Sequence, residues 1–372
     1  MRLTIFTSVE HVFRDNKFYG YGPYIREMNI WIKYVDEVVI VAPKSKNGEI
    51  LPMDLHYEHP KLQFVEIPSF NLTTFPNVLK TLVVSPLILY RMIKVLRKVD
   101  QVHLRCPSNT GLLGCVAQIF FPKLKKSTKF AGNWDPNSNQ PLSYRLQKKL
   151  LANTTLTKNI KVLVYGEWPN QTKNIVPFIS ATYYEHEIEK TEERDYTGVL
   201  NFVFVGSIVV GKRPILTIKI IEELNRRRIP SQLELFGEGT MFEETKAYID
   251  ENNLKDVIFL RGNQDKETVK QSLKKAHFNI LPSKSEGWPK AVAEGMFFGA
   301  IPIATRISCL DWMLDYGNRG ILIEPNVKVA ADSISQVLKD ADLHNMATKA
   351  VQWSQQYTLD TLEEAIRKTI EE

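Results

Sequence analysis

Cysteine is scarce: Cys106, Cys115 and Cys309 are the only three in 372 residues. Their spacing forms neither a metal-binding cluster nor a disulfide framework, which excludes a small stapled fold and suits a reducing compartment. Long apolar runs are also lacking. The longest patch, Leu82 to Tyr90, is interrupted by Ser85 and Pro86 and falls well short of the ~20 residues a spanning helix needs. The opening stretch, Met1 to Phe13, has no apolar leader core and reads as a first strand, so export is not expected. No G-x-G-x-x-G follows that strand, which argues against a dinucleotide-dependent dehydrogenase. There is no internal repeat and no low-complexity tract.

What is present is an ordinary globular composition, 44% hydrophobic and 24% charged, in a chain too long for one core and comfortable for two domains. The net charge of +6 is unevenly spread. Residues 1–190 hold 25 Lys and Arg against 15 Asp and Glu, and the remainder holds 23 against 27. A basic first half suggests an anionic partner such as a membrane surface or a nucleic acid, with a merely solubilising surface as the plain alternative.

Residues 281–305, LPSKSEGWPKAVAEGMFFGAIPIAT, organise the chain. The apolar end Asn279-Ile280-Leu281 predicts a buried strand. A polar loop follows, Pro289 suits the first turn of a helix, and Gly299 suits its C-cap. A helix start is a ready anion site, with unpaired N–H groups and the positive dipole end. Glu286 lies in the loop and Glu294 in the helix, leaning back toward that start. A carboxylate there suits sugar hydroxyls rather than phosphate. Phosphate on the helix start with a diol beside it describes a nucleotide sugar.

This string resembles the E-x7-E signature of retaining, nucleotide-sugar-dependent group 1 glycosyltransferases, the GT4-type family. The resemblance implies an α/β chain of GT-B fold, two Rossmann-like parallel-sheet domains facing across a cleft. It implies domains at 1–185 and 199–357, a linker at 186–198, and a last helix, 358–372, returning to the first domain. The first domain would bind the acceptor and the second the donor. Glu286 would sit by the donor sugar and Glu294 on the ribose. Gly287, Trp288, Pro289, Lys290 and Ala291 would face the donor phosphates, and no metal would be required.

Further signals flank this unit. Gly206-Ser207 and Lys212-Arg213 sit at a strand-to-helix turn, a phosphate-binding arrangement but not a P-loop. Lys212 matches the family's lysine, whereas Ser207 stands where the family carries arginine; Arg213 or Arg105 is the expected substitute. Gly237 and Arg261 end two later strands, where relatives hold the nucleotide. In the first half, Gly20 and Gly22 precede a helix and read either as a ligand-facing turn or as a structural one. His103 and Arg105 alternate at a strand end; they are the candidates for contact with the reacting sugar, with a structural role equally open for His103. Asn133, Trp134 and Asp135 suit sugar recognition or, for the tryptophan, edge packing. Residues 75–98 predict one or two helices broken near Pro86, packing on the sheet. The basic tail Arg91, Lys94, Arg97 and Lys98, with Lys123, Lys125, Lys126 and Lys129, adds peripheral contact with anionic lipid as an expectation.

The function expected is transfer of a sugar from a nucleotide diphosphate sugar to a glycan or lipid-linked acceptor. By analogy the setting is cytoplasmic, in bacterial surface polysaccharide or lipopolysaccharide synthesis. A non-catalytic nucleotide-sugar binder and a nucleic-acid binder are the rivals.

Overall fold

A computed structural model describes residues 1–70 and 74–372. The chain forms two compact units, Met1–Phe178 with Glu363–Glu372, and Ile179–Leu362.

Unit 1 is a seven-stranded sheet. In chain order its strands are β1 (Arg2–Phe6), β4 (Glu37–Ala42), β6 (Leu62–Glu66), β7 (Gln101–Cys106), β8 (Lys125–Phe130), β9 (Ile160–Tyr165) and β10 (Ile175–Phe178). They lie in the spatial order β10-β9-β8-β7-β1-β4-β6, and every pairing is parallel. Parallel strands need crossovers, and helices α1 (Gly22–Ile32), α2 (Phe75–Leu96), α3 (Asn109–Ala117) and α4 (Leu142–Ala152) supply most of them. Runs such as Val38-Val39-Ile40-Val41 are buried, as strands covered on both faces must be. One face carries a core of Phe6, Val41, Leu104 and Val164 under Ile88, Met92 and Leu96 of α2. The predicted break in α2 does not occur: the helix runs unbroken through Pro86, which lies on its exposed side.

A small antiparallel sheet was not foreseen. It consists of β2 (Val12–Arg14), β3 (Lys17–Tyr21) and β5 (Asp54–His56). Gly20 therefore lies inside a strand, and α1 starts at Gly22. A Cβ on Gly22 would stand 2.0 Å from the Met53 carbonyl oxygen. The glycine admits the chain's own backbone, which answers the question of why it is there without a ligand.

Unit 2 has a six-stranded parallel sheet. Its strands are β11 (Leu200–Val205), β12 (Ser231–Phe236), β13 (Ile258–Gly262), β14 (Phe278–Leu281), β15 (Ile301–Thr305) and β16 (Ile321–Ile323), in the order β13-β12-β11-β14-β15-β16. Helices α5 (Pro214–Arg226), α6 (Phe242–Glu251), α7 (Lys266–Lys275), α8 (Lys290–Phe297), α9 (Leu310–Met313), α10 (Val327–Asp340) and α11 (Leu343–Ser354) follow in chain order. The order reverses between β11 and β14, and in open α/β sheets ligands bind outside the strand carboxyl ends at such a point. The last helix, α12 (Leu359–Glu371), has Asp360 accepting from the Glu185 amide, while Glu363 binds Lys33 and Tyr34.

Candidate functional site

The reversal point of unit 2 brings two loops together. After β11 comes Gly206 to Arg213, and after β14 comes Pro282 to Pro289. The Lys284 amide donates to the Gly211 carbonyl, 2.8 Å. Arg213 adopts a left-handed backbone, φ 54°, immediately before Pro214 opens α5. Its guanidinium donates to the carbonyls of Pro282 and Ser283, each at 3.0 Å. Arg213 thus braces the second loop with the nitrogen that a diphosphate was expected to take. Across this brace Lys212 is paired with Glu286. The Glu286 side chain is 10% exposed and that of Lys212 26%, so the pair is screened only partly from water and remains within reach of a ligand.

Beside the pair, α8 begins at Lys290 after Pro289, with no side-chain cap. The Lys290 and Val292 amides already donate to the Trp288 and Pro289 carbonyls, at 2.9 and 3.0 Å, so what this helix start offers an anion is chiefly its positive dipole end. Gly299 ends the segment with φ +86°. Gly295 lets α8 lie tightly on β14, since a Cβ there would stand 2.6 Å from the Asn279 Cβ. The loop is pinned further by Thr305, which donates to the Ser283 carbonyl at 2.6 Å, and by Ser308, which donates to the Gly287 carbonyl at 3.1 Å.

Glu294 faces a small pocket of unit 2 lined by Thr182, Tyr183, Trp288, Lys290 and Tyr357, among others. Its Oε1 accepts from the Thr182 hydroxyl at 2.7 Å. Burial pushes its carboxyl up, against the Thr182 hydrogen bond and the charges of Lys290 and Lys266. Thr182 was not foreseen; nothing in its sequence surroundings marks it. Trp288 is buried, within a cluster of Trp312, Trp353 and Tyr357 at ring distances of 5.9–6.4 Å, so it anchors the loop from behind.

The glycine that follows β12 has a structural cause. Gly237 has φ +132°, and a Cβ there would stand 2.0 Å from the Gly206 carbonyl oxygen. The two loops cross backbone on backbone, tied by Ile208 N–H to the Glu238 carbonyl at 2.9 Å. Ser207 is exposed at this crossing. Arg261 is paired with Glu234, Nε to Oε1 2.9 Å, and both line a hollow on the sheet with Gln232 and Ser272. Its side chain is held by β12 rather than by the loop that follows β13.

In unit 1, His103 is fully buried, its ring 4.0 Å from that of Trp31 and its Nδ1 2.9 Å from the Ser127 hydroxyl. Burial pushes its pKa down to about 3. It is a neutral core histidine, and contact with a reacting sugar is excluded by its depth. Arg105, two residues on, is bidentate to Glu27 at 2.8 and 3.4 Å. Lys129 joins them at 3.0 Å with its side chain 1% exposed, so it is not the surface lysine expected. Burial works to raise Glu27, but the charges of Arg105 and Lys129 outweigh it and hold the carboxyl well below the usual range. Glu27 and Lys129 escaped the sequence reading because a lone glutamate on a helix and a lysine in a strand look like solvated surface.

Trp134 is also buried, against Phe130, with its Nε1 donating to Gln171 at 3.0 Å; edge packing is the outcome there. Asn133 is buried and accepts from the Asp135 amide at 2.9 Å, while Asp135 stays partly exposed. An Asp-x-Asp occurs at Asp340 and Asp342, where Asp342 caps α11 through the Asn345 amide.

Two parallel Rossmann-like sheets, the second with a charged pair and an uncapped helix at its reversal point, define a GT-B architecture. Residues 185–353 match the family model described as glycosyl transferases group 1. An uncharacterized glycosyltransferase of Methanocaldococcus jannaschii is 26% identical over 178 residues, 47% of this chain and 49% of that protein. The N-acetyl-alpha-D-glucosaminyl L-malate synthase of Bacillus anthracis is 28% identical over 134 residues, 36% of this chain and 33% of that protein. The matched segments thus span about half or less of these curated relatives. The crystal structure of Anabaena HepE in complex with UDP and glucose superposes with a TM-score of 0.66, covering 100% of this chain and 99% of that one at 11% identity. That likeness shows the fold.

Proposed function

We propose that the chain is a retaining glycosyltransferase, moving a sugar from a nucleotide diphosphate sugar to a hydroxyl of a glycan or lipid-linked acceptor. The observation that carries this is the Lys212–Glu286 pair beside the uncapped start of α8, at the reversal point of the sheet. When the anomeric carbon parts from the diphosphate, negative charge grows on the leaving oxygen. A fixed ammonium and a helix N-terminus are the groups that stabilise such charge, without a metal.

The pair also suggests how the ligand-free site is kept neutral. Lys212 and Glu286 satisfy one another until a donor arrives. The diphosphate then takes Lys212, and Glu286 is released to accept from the sugar's hydroxyls. Oε1 of Glu294 stays on Thr182, leaving Oε2 as the atom assigned to the ribose. The acceptor belongs to unit 1, at the β1/β7 reversal where Arg105 stands. UDP, the nucleotide in the HepE complex, is the first donor base to try.

A second reading is favoured by Ser207 and by the bracing role of Arg213, which leave fewer cations for the diphosphate. It is a nucleotide-sugar binder without turnover. Thermal unfolding against UDP, GDP, ADP, CMP and their sugar conjugates, with and without EDTA, tests the binding that both readings require, and release of nucleotide in the presence of acceptor separates them. A ligand present at ~100 times its dissociation constant adds ~2.7 kcal/mol to the folded state. One nucleotide is expected to stabilise the protein with or without EDTA, and Lys212→Met is expected to abolish the shift. Glu286→Ala should keep nucleotide binding and lower release of nucleotide in the presence of acceptor by about 100-fold or more. Turnover within a few-fold of wild type would remove Glu286 from the mechanism. Binding without release from any acceptor would establish the second reading.

A further inference from the structure

Helix α2 has two apolar faces, and only one of them has a place in the protein. The inner face, with Ile88, Met92 and Leu96, closes the unit 1 core. The outer face carries Leu79, Leu82, Val83, Pro86, Leu87 and Tyr90, all exposed. Leu82 is 65% exposed, Val83 79% and Tyr90 62%, so no described part of this chain covers them. Their spacing repeats at three and four residues, which is one continuous stripe on a helix, about 16 Å long at 1.5 Å per residue. Farther along the helix the same stripe turns basic at Lys94 and continues past its last turn to Arg97 and Lys98, all three exposed. From Ile67 to Val99 the sequence has no aspartate or glutamate.

We propose that this face of α2 docks on an anionic lipid bilayer surface. Leu82, Val83, Leu87 and Tyr90 sink below the headgroups, and Lys94, Arg97 and Lys98 meet lipid phosphates. An exposed apolar stripe of this size marks an interaction surface. The partner's chemistry follows from charge: the surface that covers the stripe must be apolar along one part and negative along the next. A bilayer of anionic lipid is both, and a helix lying in its interface needs this pairing. A second copy of the chain fits poorly, because α2 offers no carboxylate to meet the other copy's cations. The helix lies on the surface rather than crossing it; among the described residues no helix is long and apolar enough to span a membrane. The inference stands independently of the transfer chemistry.

The test uses the full chain and large unilamellar vesicles of phosphatidylcholine, alone or with a third of phosphatidylglycerol. Sedimentation is expected to show binding to the anionic vesicles, little to the neutral ones, and weakening with salt. Leu82→Asp with Val83→Asp should lower vesicle binding by about tenfold or more while thermal unfolding stays unchanged, since neither side chain is part of the core. Replacing Lys94, Arg97 and Lys98 by glutamine should also weaken it. Absence of binding to anionic vesicles, or binding that the aspartates leave intact, overturns the proposal. Light scattering gives the remaining outcome: a wild-type dimer that the two aspartates dissolve would make the occupant a second copy.

Discussion

His103 shows how one residue can be read two ways from sequence and only one way from structure. Its position two before Arg105 on a strand end suits a sugar contact, yet the ring lies against Trp31 with no exposure. A histidine buried neutral ties stability to pH. Its folded pKa of about 3 lies below the ordinary value of 6.5, so the unfolded chain binds the proton first. The contribution is present in full above 6.5 and is lost as pH falls toward 3. From pH 7 to pH 5 that loss is about 2 kcal/mol for one such group. His103→Gln, which can still reach the Ser127 hydroxyl, is expected to be less stable at pH 7 but to lose about 2 kcal/mol less on acidification, measured by urea unfolding at both values. An unchanged pH dependence would mean that the ring takes up its proton in the folded protein. Glu286 and Lys212, by contrast, are singled out by motif and loop type, and the fold brings the two together as a pair. Glu27, Lys129 and Thr182 are not singled out in this way, since what makes each unusual is burial and a partner more than 70 residues away in sequence.

At the scale of elements, the strand–loop–helix–strand unit around α8 was readable almost to the residue, because proline, glycine and apolar runs mark its joints. The small β2-β3-β5 sheet was not. Its strands are three to five residues long, and β5 pairs with β3 across an intervening helix and strand, which no local pattern announces. The sequence marks Gly237 as ligand-facing and leaves Gly22 open between a ligand-facing and a structural turn, and both admit other backbone. Gly237 makes the case testable. An alanine there must take up φ +132° and put Cβ 2.0 Å from the Gly206 carbonyl oxygen. Neither can be relieved without parting the loops after β11 and β12, so Gly237→Ala is expected to cost about 2 kcal/mol or more. Because the same loops carry Ser207 and lead to Lys212, nucleotide-dependent stabilisation should shrink with it. Full stability and full nucleotide response in that variant would show that the crossing is not tight.

At the scale of the whole molecule, the alternation of strands and helices predicts two parallel doubly wound sheets, and the strand orders agree. Strand order itself was not readable; it follows from the long-range pairing of β1 with β7 and of β11 with β14. The basic surplus of the first half divides on folding. Lys129 and Arg105 neutralise Glu27 inside the sheet, whereas Lys94, Arg97 and Lys98 stay on the surface. The return of the last helix rests on particular contacts as well. Ile366 and Ile370 are fully buried, and Lys125 donates to the Ile370 carbonyl at 2.6 Å. Residues 363–372 are therefore part of the unit 1 core although they are last in the chain. Truncating a buried isoleucine to alanine removes its transfer energy and leaves a cavity, costing about 2–5 kcal/mol. Ile366→Ala is expected to apply that cost to unit 1, read by hydrogen exchange as faster opening of β7, β8 and β9, with β11, β12 and β14 protected as before. Equal loss in both sheets would mean that the two units open as one cooperative body. Unchanged exchange in β7 to β9 would mean that α12 contributes nothing to the core it is buried in.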